Sequence, residues 1–431
     1  MTASPLTPEE IAAVRRPYRA ASLLPGRAYH DPAIHEFERE RWFRRDWLIA
    51  GREEDAATPG SYFLAEVDDE PLIVVRGRDG VIRAFYNVCR HRGTAVVEES
   101  CGQAVRFQCP YHAWIYDLDG RLIRAKHTED LDDFSLETSG LAAVRVALWQ
   151  GFVFVSLDAG AEELSDWLGD LATHLDRFDF GALRVAHTET YEVEANWKFI
   201  AENYSECYHC PGIHPQLNKL TPYDLGGDYA PDGPWQGGWM ELVDNAETMA
   251  LDGGQRAGRP AMAGISELDE RRVYYYLLWP TTFLSIHPDY LLWHRLVPAG
   301  PDHTRIVCQW LFEPATIAAP SFDPSDAIGF WDLTNRQDWH VCELQHRGTR
   351  SRSWTAGRYS NQEPSVHAFD LMVVDRYADD GTESRRTVRH RYDVPPPKDD
   401  EPNADVGGMP AVLMPRSAAR ARARLRARSS R

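Results

Sequence analysis

The sequence predicts an α+β chain: a small all-β domain, then a domain whose mainly antiparallel sheet is packed by helices. Three observations carry this prediction. Short alternating runs such as "SYFLAEV", "PLIVVRG" and "VIRAFYNV" sit between Asp- and Gly-rich turns in the first part of the chain. Apolar and aromatic runs return later as "RRVYYYLLW", "TTFLSIHP", "YLLWHRLVP" and "TRIVCQWLFEP". Two stretches with helical spacing, 196–210 and 324–348, flank those later strands and carry histidines and carboxylates.

The elements follow in order. A lead-in (1–44) has its best helix in "DPAIHEFERERWFRRDW" (31–47), with Asp31 as N-cap, Pro32 in the first turn, and Ile34, Phe37 and Trp42 on one face. The β-domain (45–160) turns at Asp68-Asp69-Glu70, Asp79-Gly80 and Asp119-Gly120, and closes with the buried strand "WQGFVFVSLD". In the second domain (161–384), residues 163–180 read as helix and "RVAHTETYEVEANW" as strand. The Gly/Asp/Pro-rich segment 221–260 shows no clear period, as a lid or binding loop would. The helix at 324–348 takes Asp323 or Ser321 as its cap. The stretch 385–431 is too rich in Pro, Gly and charge to bury a core, and is expected to be a disordered, Arg-rich tail.

Bulk properties narrow the function. The chain has 431 residues, 43% apolar and 26% charged, and no apolar run long enough to cross a bilayer. Its start has acidic residues and no apolar h-region, so a cytoplasmic location is expected. A net charge of −18 argues against nucleic-acid binding by the folded body, leaving only the tail "RSAARARARLRARSSR" as an exception. Seven cysteines at uneven spacings favour metal ligation or free thiols over a disulfide framework.

Two stretches concentrate metal-competent side chains. In the β-domain, "CRHRG" and "CPYHAW" supply Cys89, His91, Cys109 and His112, each pair where a strand gives way to a turn. Two thiolates and two imidazoles suit a tetrahedral structural zinc or a Rieske [2Fe–2S] cluster, in which cysteines hold one iron and histidines the other. Cys101 has no partner in this scheme and is expected to be a buried or incidental thiol.

The second stretch is "NWKFIAENYSECYHCPGIHP". If 196–210 is one helix, Glu202, Glu206 and His209 share a side, and Pro211-Gly212 turns the chain so that His214 returns beside His209. Two such imidazoles make most of a 2-His-1-carboxylate iron site. Asp338, on the same stripe of the late helix as Trp331 and Thr334, is the carboxylate candidate, because a buried carboxylate needs a partner. Pairing with Arg336 or Arg347 is the alternative, and Asp332 and Glu343 are lesser candidates. Glu206, three before His209, can accept that histidine's other N–H. Cys207 and Cys210 read as packing residues, while Glu202 and Asn203 support the helix or the pocket.

Together "CRHRG", "CPYHAW" and "NWKFIAENYSECYHCPGIHP" resemble the Rieske non-haem iron oxygenases, large-subunit type. The resemblance spans roughly residues 40–380 and implies a helix-grip-like catalytic domain. It implies a [2Fe–2S] cluster on Cys89, His91, Cys109 and His112, and mononuclear Fe(II) on His209, His214 and Asp338. The activity implied is hydroxylation with O2 and electrons that a separate flavin/iron–sulfur reductase draws from NAD(P)H. No G-x-G-x-x-G fingerprint or plant-type ferredoxin cysteine cluster is present in the chain itself. In this family an acid at position 206 bridges to a Rieske histidine of a neighbouring subunit, here His112, in a head-to-tail homotrimer; Asn203 is counted with it as catalytic.

Most of the family has Asp at that position. The Glu of "ECYHC" resembles the branch that oxidises carnitine, choline and glycine betaine, so N-demethylation or hydroxylation of a quaternary ammonium compound is the expected reaction. Aromatic residues on the late strands (Tyr274, Tyr275, Tyr276, Trp279, Phe283, Tyr290, Trp293 and Trp310) offer material for a cation cage, and His294 is the most plausible further histidine of the pocket. A ring-hydroxylating or O-demethylating oxygenase of an aromatic substrate is the alternative, and a zinc-stapled binding protein without turnover the third.

Overall fold

A computed structural model describes residues 4–378 and the two-residue strand Val412–Leu413. The chain forms two units, one of Glu38–Leu164 with Phe180–Ala182, the other of the remaining described residues.

The first unit is all β. Strands β1 (Leu48–Arg52), β2 (Ser61–Val67), β3 (Glu70–Arg76), β4 (Ile82–Tyr86), β5 (Cys101–Gln103), β6 (Phe107–Gln108), β7 (Ile115–Tyr116), β8 (Leu122–Arg124), β9 (Ala143–Trp149) and β10 (Phe152–Ser156) make two sheets. The larger runs β1-β10-β9-β4-β3-β2-β5 and the smaller β6-β7-β8. Asp68 and Asp69 take φ of 52° and 63°, the left-handed pair that a two-residue hairpin between β2 and β3 demands. Carboxylate residues suit that turn, and Asp68 also accepts from Arg39 Nε at 2.7 Å. Between β4 and β5, Asn87 staples the chain: its Oδ1 accepts from the amides of Val96 (2.8 Å) and Val97 (3.0 Å). Cys101, expected to be a buried or incidental thiol, is a free and exposed one on β5, because that short edge strand faces solvent throughout.

The second unit holds an antiparallel sheet ordered β11-β17-β16-β15-β14-β13-β12-β18. Its strands are β11 (Arg184–Val193), β12 (Gly226–Asp228), β13 (Trp235–Glu241), β14 (Arg272–Leu278), β15 (Thr282–Ile286), β16 (Leu291–Gly300), β17 (His303–Phe312) and β18 (Val412–Leu413). The main helices packed with it are Trp197–Tyr204, Ser325–Thr349 and Pro364–Ala378, with shorter ones at Pro8–Val14, Cys210–Ile213 and Pro215–Leu220. The Ser325–Thr349 helix buries Ala327, Phe330, Trp331, Thr334, Asn335, Trp339 and Cys342, the three-and-four spacing of an inward stripe. The helix begins one residue later than expected, with Pro324 and not Asp323 or Ser321 at the cap position; Asp323 Oδ1 accepts from the Ser325 amide at 2.9 Å from just outside it. Tyr191 on β11 donates to Asp332 at 2.9 Å, and Tyr204 donates to the Leu284 carbonyl on β15 at 3.0 Å, tying helices to the sheet.

Four expectations are corrected. The helix from 196 stops at Tyr204, because Ser205 leaves helical geometry and its hydroxyl turns back to the Ala201 carbonyl at 2.6 Å. The helix foreseen at 163–180 is two short ones, Leu164–Leu168 and Leu171–His174, parted by Gly169 with φ +58°. The irregular segment 221–260 contains β12 and β13, whose glycines hid the strand period. The tail foreseen as disordered pairs at Val412–Leu413 with β12; the rest of 385–431 lies outside the described residues. Among the described residues, no helix is long and apolar enough to cross a membrane.

Glycines let β12 and β13 approach closely. A Cβ at Gly238 would stand 2.4 Å from the Gly227 carbonyl oxygen and 3.0 Å from an Asp228 carboxylate oxygen. Gly238→Ala must therefore push β12 outward and is expected to cost about 1–3 kcal/mol through overpacking. A denaturant midpoint equal to that of the parent protein would show that β12 yields without strain.

Candidate metal centres and substrate cavity

The two Cys-His loops of the first unit share one backbone design. The Cys89 amide donates to the Thr94 carbonyl (2.8 Å), and the Gly93 amide returns to the Cys89 carbonyl (3.0 Å). The second loop repeats this: Cys109 to Trp114 at 2.9 Å, and Ala113 to Cys109 at 3.1 Å. The residue four after each cysteine turns through positive φ, Gly93 at 75° and Ala113 at 55°. The result is a matched pair of knuckles.

Cys89 and Cys109 are buried, and burial pushes the Cys109 thiol pKa up. His91 and His112 are exposed, with ring centroids 4.5 Å apart. His91 stacks on Trp114 at 4.7 Å, and the Tyr116 hydroxyl lies 3.2 Å from Cys89 Sγ. The donor set discriminates between metals. Ligands of one tetrahedral zinc stand about 3–4 Å from each other, given metal–ligand bonds of roughly 2.0–2.3 Å. Among the described residues, side-chain donors converge within 4.8 Å as only two groups, and no three of these four loop residues form one. Paired sulfurs inside and paired imidazoles outside fit a two-iron cluster and not a single zinc.

One convergent group is His209, His214 and Asp338. Three short elements place it. Beyond Tyr204 the chain turns through 205–209, helix Cys210–Ile213 follows, and His214 sits between that helix and Pro215–Leu220. Asp338 comes from the inward side of the late helix. Asp338 Oδ1 lies 2.7 Å from His214 Nε2 and 3.3 Å from His209 Nε2. The far ring nitrogens are also held: His209 Nδ1–H donates to Glu206 Oε1 (2.5 Å) and His214 Nδ1–H to Gln337 Oε1 (2.8 Å). With its Nδ1 engaged in this way, each imidazole faces Asp338 with Nε2, the nitrogen that would ligate a metal.

Burial disfavours charge on His209, yet the Asp338 and Glu206 carboxylates overcome it and raise its pKa to about 10. Burial likewise works against a charged Asp338, but the two imidazoles hold it down to about 2. This cluster calls for positive charge, which a divalent iron supplies. The other group, His30, Asp302 and His346, differs: the Arg350 guanidinium already pairs with Asp302 there.

The iron-type triad opens into a cavity with about 890 Å³ of empty space, including its mouth. Asn203 and Glu206 line it, as do Tyr204, Trp239, Tyr275 and Trp331. Trp331 is aimed by its Nε1–H, which lies 2.8 Å from the Tyr290 hydroxyl and 3.1 Å from His287 Nε2.

Several residues lie elsewhere than the sequence predicts. Glu202 is buried in the core, where Tyr29 donates to it at 2.6 Å, and because the helix ends at Tyr204, Glu206 does not share its helical face. Cys207 and Cys210 are joined in a disulfide, since the turn after Tyr204 brings their Cα atoms to 5.0 Å. Of the eight aromatic residues proposed for the cage only Tyr275 lines the cavity; the other seven do not. His294 is not in the lining but buried against Asn335 at 3.4 Å, and burial lowers its pKa to about 4. Asp332 pairs with Arg336 and not with the cluster. Gln337, Trp239, Gln236 and Asp228 were missed. Gln337 had a readable signal, standing next to Asp338, whereas the other three lie in the segment that lacked a period.

Residues 46–135 match the Rieske [2Fe-2S] domain family, and residues 180–379 the ring hydroxylating alpha subunit (catalytic domain) family. The glycine betaine monooxygenase oxygenase subunit of Chromohalobacter salexigens is 31% identical over 386 residues, covering 83% of this chain and 85% of that one. The chain belongs to the Rieske non-haem iron oxygenases. The chain is also 31% identical over 270 residues to the carnitine monooxygenase oxygenase subunit of Escherichia coli strain K12, covering 62% of this chain and 68% of that one. Among solved structures it superposes on the quaternary ammonium Rieske monooxygenase CntA in complex with substrate L-carnitine. That match has a TM-score of 0.72 and 25% identity over 86% of this chain and 99% of CntA. Naphthalene 1,2-dioxygenase from Rhodococcus sp. shares the fold, with a TM-score of 0.70 at 21% identity over 86% of this chain and 97% of that one. The oxygenases of this family use a Rieske cluster and mononuclear non-haem iron.

Two substitutions separate the parts of the site. Asp338→Ala should abolish mononuclear iron while the Rieske EPR signal persists; full iron occupancy would exclude Asp338 as a ligand. Glu206→Gln should leave both metals bound but reduce turnover roughly 10–100-fold, the usual consequence of loosening a ligand's outer hydrogen bond. Unchanged turnover would reduce Glu206 to a structural role.

Proposed function

We propose that this chain is the oxygenase component of a quaternary-ammonium monooxygenase. The observation that carries this reading is the His209/His214/Asp338 triad opening into a cavity walled by Tyr204, Trp239, Tyr275 and Trp331. Aromatic faces attract an alkylated ammonium through their quadrupoles without hydrogen bonds, which such a cation cannot donate. Relatives named for glycine betaine, carnitine and choline oxidation support the same class.

In this reading Cys89, Cys109, His91 and His112 hold the cluster, and His209, His214 and Asp338 hold iron. The bound metals supply electron relay and O2 activation. One oxygen atom enters a substrate C–H bond and the other leaves as water, consuming two electrons and two protons. Hydroxylating an N-methyl group gives a carbinolamine that releases formaldehyde.

The protein's own residues set this up. Glu206 and Gln337 keep both imidazoles in the ligating tautomer, Asn203 borders the reacting space, and the aromatic walls exclude water and position the cation. The family resemblance makes Glu206 a bridge to His112 of a neighbouring copy in a head-to-tail homotrimer, and a separate NAD(P)H-dependent flavin/iron–sulfur reductase completes the system. A cytoplasmic location fits its need for that reductase.

The test uses the metal-loaded protein with a surrogate reductase, NAD(P)H and O2 against glycine betaine, carnitine, choline and a set of aromatic acids. Turnover of at least one quaternary amine, read as formaldehyde or oxidised product matched to O2 consumed, is expected. Turnover of aromatic acids alone would establish the ring-hydroxylating alternative.

A further inference from the structure

The cavity is lined by carboxylates but by no lysine or arginine among the described residues. Its acids are Glu206, Asp228 and Asp338, and its histidines are His209 and His214. Glu206 and Asp338 are committed to those histidines. Asp228 is not. It stands at the end of β12, held by the backbone pairing of Asp228 with Gly238 on β13. Its side chain interacts with the Ser365 hydroxyl, and no cation pairs with it among the described residues. Burial pushes this carboxyl up to about 6, the response of an acid that lacks its counter-charge.

The neutral polar groups around the cavity point the same way. Gln236 Oε1, Gln362 Oε1 and the Tyr275 hydroxyl are buried without a hydrogen-bond partner, and all three residues line the cavity. Gln236 Nε2 is occupied by Ser205 Oγ at 2.6 Å, which leaves its carbonyl oxygen as the free end. The two carboxamide oxygens add acceptors to the negative charge of Asp228, and the Tyr275 hydroxyl can accept or donate. Such a lining suits a cation with an uncharged donor, and it is hostile to a carboxylate, which would meet Asp228 with no guanidinium or ammonium to offset it.

We propose that the substrate is a monocationic quaternary ammonium compound bearing a hydroxyl or other uncharged donor, with Asp228 as the residue that selects against zwitterionic betaines. This inference rests on the quaternary-ammonium reading and sharpens it. Glycine betaine and carnitine each carry a carboxylate; choline carries the same trimethylammonium head with a hydroxyl. Aromatic walls cannot distinguish the three, because they recognise only the shared head. The charge that Asp228 adds to the lining does.

The experiment measures kcat/KM of the metal-loaded enzyme, with a surrogate reductase, for choline, glycine betaine and carnitine. Choline should be preferred by roughly 10-fold or more, the scale of discrimination that one uncompensated charge contact gives. Asp228→Asn should raise the choline KM by about 10-fold, more than it lowers kcat, and should narrow the preference over glycine betaine. Asp228→Glu should restore the preference in part, which a purely structural role would not predict. Iron content is read for each variant, so that a misfolded Asn variant is recognised and the Glu variant then decides. Equal or better kcat/KM for either betaine in the parent enzyme overturns the inference while leaving the quaternary-ammonium reading intact. So does a choline preference that neither variant moves. Failure on all three compounds with turnover of aromatic acids overturns both.

Discussion

A carboxylate placed between two imidazoles in a buried cluster is the constraint on which the rest of the catalytic unit depends. Asp338 loses water on burial, and His209 and His214 compensate for that loss. The arrangement works only if both imidazoles present the same nitrogen, and each does so because its other nitrogen is bound elsewhere, by Glu206 and by Gln337. Gln337 is itself held by Gln216 at 2.7 Å. A chain of oriented hydrogen bonds therefore runs outward from the cluster on both sides. Such support keeps a site at ligating geometry before a metal arrives.

The local backbone serves that constraint. An uninterrupted helix through 210 would spread Glu206 and His209 along a rigid face and leave His214 far round the axis. Ending the helix at Tyr204 frees 205–209 to fold into a turn, in which Glu206 Oε2 also accepts the His209 amide at 3.2 Å. Tyr204, the last helical residue, stacks on Phe283 of β15 with centroids 4.1 Å apart. The break is thus anchored to the sheet, and the same tyrosine becomes a cavity wall. In the other unit the knuckles solve a related problem by repetition: two five-residue turns with the same hydrogen bonds present a buried sulfur and an exposed imidazole each. The asymmetry of burial within each knuckle orders the two ligand types.

Recognition follows from what surrounds the triad more than from the triad itself. The aromatic walls of this cavity present faces suited to an alkylated cation, and the polar remainder of its lining is acidic and acceptor-rich. The glycines of β12 and β13 make it possible, since they bring Asp228 against Gly238 with no side chain between.

The candidate metal donors were legible in the sequence because each comes with near neighbours that betray it: a Cys-x-His, a Cys-x-x-His, two histidines around a Pro-Gly turn, and a carboxylate on an otherwise inward helical stripe. The hairpins of the β-domain were legible for a similar reason, since Asp-Asp and Asp-Gly pairs take left-handed φ at little cost. What lay hidden depends on contacts between segments distant in sequence. Helix spacing alone put Glu202 with Glu206, whereas a hydrogen bond to Tyr29 drew it into the core. Seven of eight strand aromatics lie outside the cavity lining, since period 2 says that a side chain alternates but not which face meets the cavity. Glycine-rich β12 and β13 showed no period at all, so Asp228 and Trp239 could be placed only by the sheet that pairs them. The chemistry of this protein is written locally; the shape and charge of the space it acts in are decided by the tertiary fold.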